Sequence, residues 1–175
     1  MEIYKELFKE ILLLSKNHSK WDNGEFIGIK SVSNTNVGNV GQMFVERLCL
    51  FHDIHAEFPV NKKLTRANQS PWDLKINGVT FEIKTATEDT TGKFQFNHLR
   101  YHRDYNAVLC LGVSPNDLYF KIWSKAEVAT NKAGKLVTME KGANASYKLT
   151  KSKSDLYPIS DFKDILCNFT DKFDK

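Results

Sequence analysis

The sequence predicts a mixed α/β protein of the α+β kind, with a central mixed β-sheet that contains a β-hairpin and is flanked by helices. Three observations point there. Ile3, Leu7, Ile11 and Leu14 recur at the spacing of one helix face. Residues 74–76 and 79–84 read as short strands on either side of Asn77-Gly78, the strongest short hairpin signal. Residues 107–113, Ala-Val-Leu-Cys-Leu-Gly-Val, are continuously apolar, as in a strand covered on both faces.

In chain order, a helix is expected over 2–16, with Phe8 and Leu12 widening its apolar face. Trp21 to Gly24 read as a turn before a short strand at 26–29. Residues 31–41, rich in Ser, Asn, Thr and Gly, read as a loop. A second helix is expected over 40–52, with Phe44, Leu48 and Phe51 on one stripe and Glu46 on its flank. Ala56, Phe58 and Val60 alternate with polar residues and predict a strand, followed by a basic loop over 62–71. After the hairpin come a polar loop over 85–93 and a polar helix over 96–105. Residues 118–123 alternate and pair with the buried strand across the turn at 114–117. Residues 126–157 read as an irregular, polar tail. A short helix is expected after Ser160, its N-cap, with Phe162, Ile165 and Leu166 facing inward. The whole, 1–175, is expected to be a single domain with a core over about 38–124 and an irregular part over 125–175.

Composition narrows the function classes. The 175 residues, 41% hydrophobic and 26% charged, are enough for one packed core. No apolar run approaches the roughly 20 residues of a membrane span, so no membrane partner is expected. The opening residues lack a signal-peptide pattern, and three widely spaced cysteines imply no disulfide framework, so a cytoplasmic location is expected. No Gly-rich phosphate loop follows a strand, so no nucleotide cofactor is expected. The net charge of +4 is compatible with a polyanionic partner.

The hairpin carries the chemistry. Glu82 and Lys84 are two apart on one strand and project to the same side, while Ile83 turns to the other. Asp73 lies four residues before Asn77 and Glu82 four after Gly78, so the turn makes the two acids near cross-strand neighbours. Converging carboxylates call for a cation between them, and oxygen ligands select a hard ion such as Mg2+. An adjacent ammonium can orient a water and neutralise charge at a phosphate.

Asp73, eight intervening residues and then Glu82-Ile83-Lys84 resemble the motif of the PD-(D/E)XK nuclease superfamily, to which most type II restriction endonucleases belong. Trp72 separates Pro71 from Asp73, so the Pro-Asp dipeptide is not intact. The resemblance implies a restriction-endonuclease-like fold and a Mg2+-dependent cut of double-stranded DNA at a short specific sequence. It implies Asp73, Glu82 and the Ile83 carbonyl as metal ligands and Lys84 as the residue that positions water. Glu46 stands where the family often contributes a further acid from the preceding helix.

Around this motif, Gln95, Asn97, His98, Arg100, His102 and Arg103 suit contacts with base edges and phosphates, and Lys62, Lys63 and Arg66 suit a phosphate clamp. A palindromic target would call for a homodimer, with helix 2–16 a candidate surface. Two other readings stay open: a junction-resolving or repair nuclease of the same superfamily, and a non-catalytic DNA-binding module on the same scaffold.

Overall fold

The computed structural model describes residues 20–67 and 70–173. The helix expected over 2–16 lies outside the described residues. Residues 26–29 form no strand; Ile27–Ser31 is a 3-10 turn, because Phe26 and Ile29 pack onto the core while Gly28 and Lys30 face outward without a strand partner.

Helix α1 (Asn34–Phe51) starts six residues before the expected boundary. Ser33 explains the difference, since its side chain accepts a hydrogen bond from the Asn36 N–H at 3.3 Å and caps the helix within the stretch read as a loop. Gly41, Val45 and Cys49 form its buried face. Then follow β1 (Ala56–Glu57), β2 (Leu74–Ile76), β3 (Val79–Thr87), β4 (Lys93–Leu99), β5 (Ala107–Val113), β6 (Leu118–Ser124) and helix α2 (Lys125–Ala129). The chain closes with β7 (Leu136–Glu140), β8 (Ser146–Ser152), β9 (Tyr157–Pro158) and helix α3 (Phe162–Phe173). Residues 125–173 are therefore not irregular. Ser160 is not an N-cap: it lies inside the 3-10 turn Ile159–Asp161 that runs straight into α3, and the cap position of that run is Pro158, two residues earlier.

The main sheet is mixed, as expected, with strand order β1-β2-β3-β5-β6-β9. Only β3 and β5 run parallel among its pairs, in register from Phe81↔Ala107 to Thr87↔Val113. This seven-residue match carries β3 past Lys84 into residues 85–87, where a loop was expected. The hairpin forms at Asn77 (φ 46°) and Gly78 (φ 86°), both in the left-handed region that a tight Asn-Gly turn requires.

Residues 93–99, expected to run from loop into helix, form β4. Phe94 and Phe96 are buried while Lys93, Gln95 and Asn97 are exposed, a period of two that packing selected over the polar-helix pattern. Strand β4 joins β8 and β7 in a separate antiparallel sheet.

The described residues form three layers. Helices α1 and α3 cover one face of the main sheet, with Val45, Cys49, Phe162 and Leu166 against Phe81, Ile83, Leu109 and Phe120. The three-stranded sheet covers the other, with Phe94, Phe96 and Leu149 against Val108, Cys110 and Trp123. That is why residues 107–113 are buried throughout. At Gly112 an added Cβ would lie 3.0 Å from the Phe94 ring, so the two sheets meet closely there and a side chain would press the ring back. Glu88, 5% exposed, ties the layers together through Lys20 at 2.9 Å and Lys153 at 3.2 Å. Burial pulls its carboxyl upward, but Lys20, Ser114 and Lys153 outweigh that and hold it below the usual value.

Helix α1 approaches β3 most closely at Gly41, where an added Cβ would meet the Thr85 hydroxyl at 1.8 Å and its Cβ at 2.9 Å. Gly41→Ala should therefore push the helix off the strand that carries Glu82 and Lys84, with a loss of about 1–3 kcal/mol of stability as in other overpacked cores. Thermal unfolding would measure this, and an unchanged melting temperature would contradict the close contact.

Candidate active site

Beyond Leu74 the β2–β3 ladder gives way to a side chain. The Asp73 N–H still reaches the Phe81 carbonyl at 2.8 Å, and Asp73 Oδ2 accepts the Ile83 N–H at 2.7 Å. The carboxylate thus stands in for a backbone acceptor, which fixes one oxygen and leaves the second unused by that bond. Glu82 is 3% exposed and paired with the Lys84 ammonium, both on the side of β3 that faces the second sheet. Ile83 turns into the helix-side core.

The Asp73 carboxyl is pushed up from 3.8 to about 6. Burial is the larger cause and the neighbouring Glu82 charge the second; the Ile83 hydrogen bond, Lys84 and Arg66 pull the other way. Among the described residues no trio of His, Cys, Asp or Glu gathers at one point. Asp73 and Glu82 offer carboxylate oxygens, and Ile83 a backbone carbonyl, as donors of the kind that hard ions take.

Asp73, Glu82, Ile83 and Lys84 lie in a cleft of about 510 Å³ between β3, β4 and the start of α1. A second cleft of about 860 Å³ adjoins it, floored by Pro71, Trp72 and Asp73. Asn39, Gln42, Asp73 and Arg103 border both, so the two form one groove past the acids.

The residues expected to bind DNA divide by position. Gln95, Asn97, His98 and Arg103 line the cleft that holds the acids, and Arg66 lines the adjoining one. Lys62 and Lys63 are exposed on a turn and line neither cleft, as does exposed His102. Arg100 is engaged with Glu140 at 3.5 Å. The helix meant to present residues 96–105 is absent; its cleft-lining members hang from β4 and the turn after it. Glu46 lines neither cleft and lies 3.8 Å from the Arg66 guanidinium. One turn earlier on α1, Gln42 faces the groove and accepts from Arg66 at 2.9 Å.

Sequence reasoning missed Asn34, Thr35, Asn39 and Gln42, which form the groove wall opposite β4. They fell in or beside the stretch read as a loop. Ser33 and the polar residues at helical spacing behind it were the signal that could have found them.

Among the described residues no helix is long and apolar enough to cross a membrane. No family model and no curated protein matches the sequence. Among solved structures the chain is similar to a bacterial homing endonuclease, I-Ssp6803I, with 13% identity, a TM-score of 0.42, and coverage of 69% of this chain and 75% of that one. So loose a likeness leaves any functional reading to the site's own geometry.

Proposed function

We propose that the protein is a Mg2+-dependent endonuclease that hydrolyses phosphodiester bonds of double-stranded DNA at a short specific sequence, as type II restriction endonucleases do. The observation that carries this reading is the convergence of Asp73 and Glu82, with Lys84 beside them, in a polar cleft, where the charge on one acid helps push the other up to about 6. Such a pair is a standing repulsion that a divalent cation would relieve, and its oxygen donors fit a hard ion.

Asp73, Glu82 and the Ile83 carbonyl would hold that ion. When bound it supplies Lewis-acid stabilisation of charge at a phosphate and lowers the pKa of water. The chain's own groups do the rest. The Ile83 N–H keeps Asp73 oriented, so the carboxylate reaches the cleft without a search through rotamers. Lys84 offers an ammonium beside Glu82, placed to orient the attacking water and offset negative charge at the scissile phosphate. Arg103 and Arg66 supply planar guanidinium groups along the groove for flanking phosphates, and Gln42 with Glu46 holds Arg66 in place. Gln95, Asn97 and His98 stand at the cleft wall where base edges would pass. Lys62 and Lys63 act farther out, as diffuse positive charge toward the DNA backbone. Reading a palindrome would pair two copies about a two-fold axis.

Incubation of the purified protein with a sequenced supercoiled plasmid and Mg2+ should yield discrete fragments, and EDTA should abolish them. Structure-specific cuts without sequence preference would point to a junction or repair nuclease. Duplex binding with no cleavage at any Mg2+ concentration would leave only a binding module.

A further inference from the structure

We infer that the outward face of the three-stranded sheet is a duplex-DNA reading surface, a β-ribbon platform that enters the major groove beside the catalytic cleft. The inference deepens the nuclease reading by assigning sequence recognition to an element outside the hairpin, and it rests on that reading only for what is done to the DNA once bound.

The sheet's two faces differ sharply. Phe94, Phe96 and Leu149 are fully buried against the main sheet, so its inner face is spent. The ladder places Lys93 opposite Ser152 and Gln95 opposite Thr150, on the face away from that core. Lys148 follows Thr150 on the same side of β8, opposite exposed Val137 of β7. The outer face is thus a ribbon of hydrogen-bonding and cationic side chains, with exposed Val137 and Met139 on β7, the mixture that base edges and thymine methyl groups take. Strands β4 and β8, which carry most of these side chains, pair as a two-stranded ribbon, the width that the groove admits.

Two further observations select nucleic acid as the occupant. The face is continuous with the catalytic cleft, because Gln95 and Asn97 belong both to β4 and to the cleft wall that faces Asp73 and Glu82. A duplex whose backbone crosses the acids would therefore meet this sheet. The nearby acids are also held in place internally, Asp89 as an ionised carboxylate and Glu140 in an ion pair. Asp89 accepts hydrogen bonds from Thr91, Lys93 and Gln95, which hold its carboxyl far below the usual range. Glu140 is engaged by Ser146, Arg100 and His98. Lys93 and Lys148 have no carboxylate partner among the described residues and outweigh the single charge of Asp89, so the ribbon keeps a positive excess.

The test is duplex binding by fluorescence anisotropy in Ca2+, which permits binding without turnover, over a salt series and beside a Mg2+ cleavage assay. The double variant Lys93→Glu/Lys148→Glu should bind at least about tenfold more weakly, with the slope of log affinity against log salt reduced by about 2. Lys163→Glu/Lys172→Glu, an equal charge change on exposed α3, should bind as the wild type does. If the double variant binds normally while the wild type cleaves, the platform is refuted and the nuclease reading stands. If the wild type binds but never cleaves, and the double variant still loses affinity, the platform stands and the nuclease reading falls. Neither binding nor cleavage by the wild type would overturn both.

Discussion

Asp73→Asn should sharply slow DNA cleavage and, without divalent cations, make the folded protein more stable at pH 8. The amide keeps an oxygen to accept the Ile83 N–H and occupies the same volume, so the backbone contact survives. What disappears is a negative charge that burial and Glu82 both disfavour. The folded Asp73 value, about 6, lies above its ordinary value of 3.8, so folding favours the protonated acid. Its contribution to stability is fully present below about pH 4 and is lost as pH rises through 6. At pH 8 the wild type carries the whole penalty, and Asn should recover about 1–2 kcal/mol of it. Chemical denaturation of both proteins at pH 4, 6 and 8 in EDTA would measure this, with the largest difference at pH 8. Adding Mg2+ should raise the wild-type midpoint and leave the variant unmoved, since binding to the folded state alone stabilises it. Cleavage should fall by roughly 10³-fold, because the lost ligand removes several kcal/mol of charge stabilisation. An acid serving only structure would behave oppositely, with stability falling in the variant and Mg2+ moving neither protein.

Lys84→Ala should lose both activity and stability. Glu82 is 3% exposed and Lys84 is its ion-pair partner, so removing the ammonium strands a buried carboxylate. Breaking a buried pair from one side costs about 3 kcal/mol. Cleavage should drop by about 10²–10³-fold, as when a charge-stabilising donor is removed from other hydrolytic sites. Lys84→Met keeps the aliphatic stem and separates packing from charge; it should be as inactive and as destabilised. Full stability in Lys84→Met would show that Glu82 does not depend on the ammonium.

The hairpin was legible because its determinants are local. Asn77-Gly78 sets the turn, and the distances from it to Asp73 and Glu82 set the pairing, with no knowledge of the rest of the chain. Residues 107–113 were equally plain, since an apolar strand that long has to be covered on both faces. The polar segments were harder. Residues 93–99 carry Phe94 and Phe96 at alternate positions, yet their charged neighbours also fit an exposed helix. The choice was made by β8, more than fifty residues away, which offers a ladder to one edge of the segment. The start of α1 was hidden likewise, because Asn, Thr and Gly favour loops until a Ser cap and a sheet beneath hold them helical.

By itself the sequence determined the acidic pair, its lysine and the turn that gathers them, because all follow from spacing within about a dozen residues and from the two-residue period of a strand. Only the tertiary structure decided what surrounds them: that α1 rather than a loop walls the cleft, that Gln42 and not Glu46 faces it, and that a second sheet stands beside it. Those outcomes depend on which distant segments bury the apolar faces of otherwise ambiguous stretches, and burial is a property of the assembled chain.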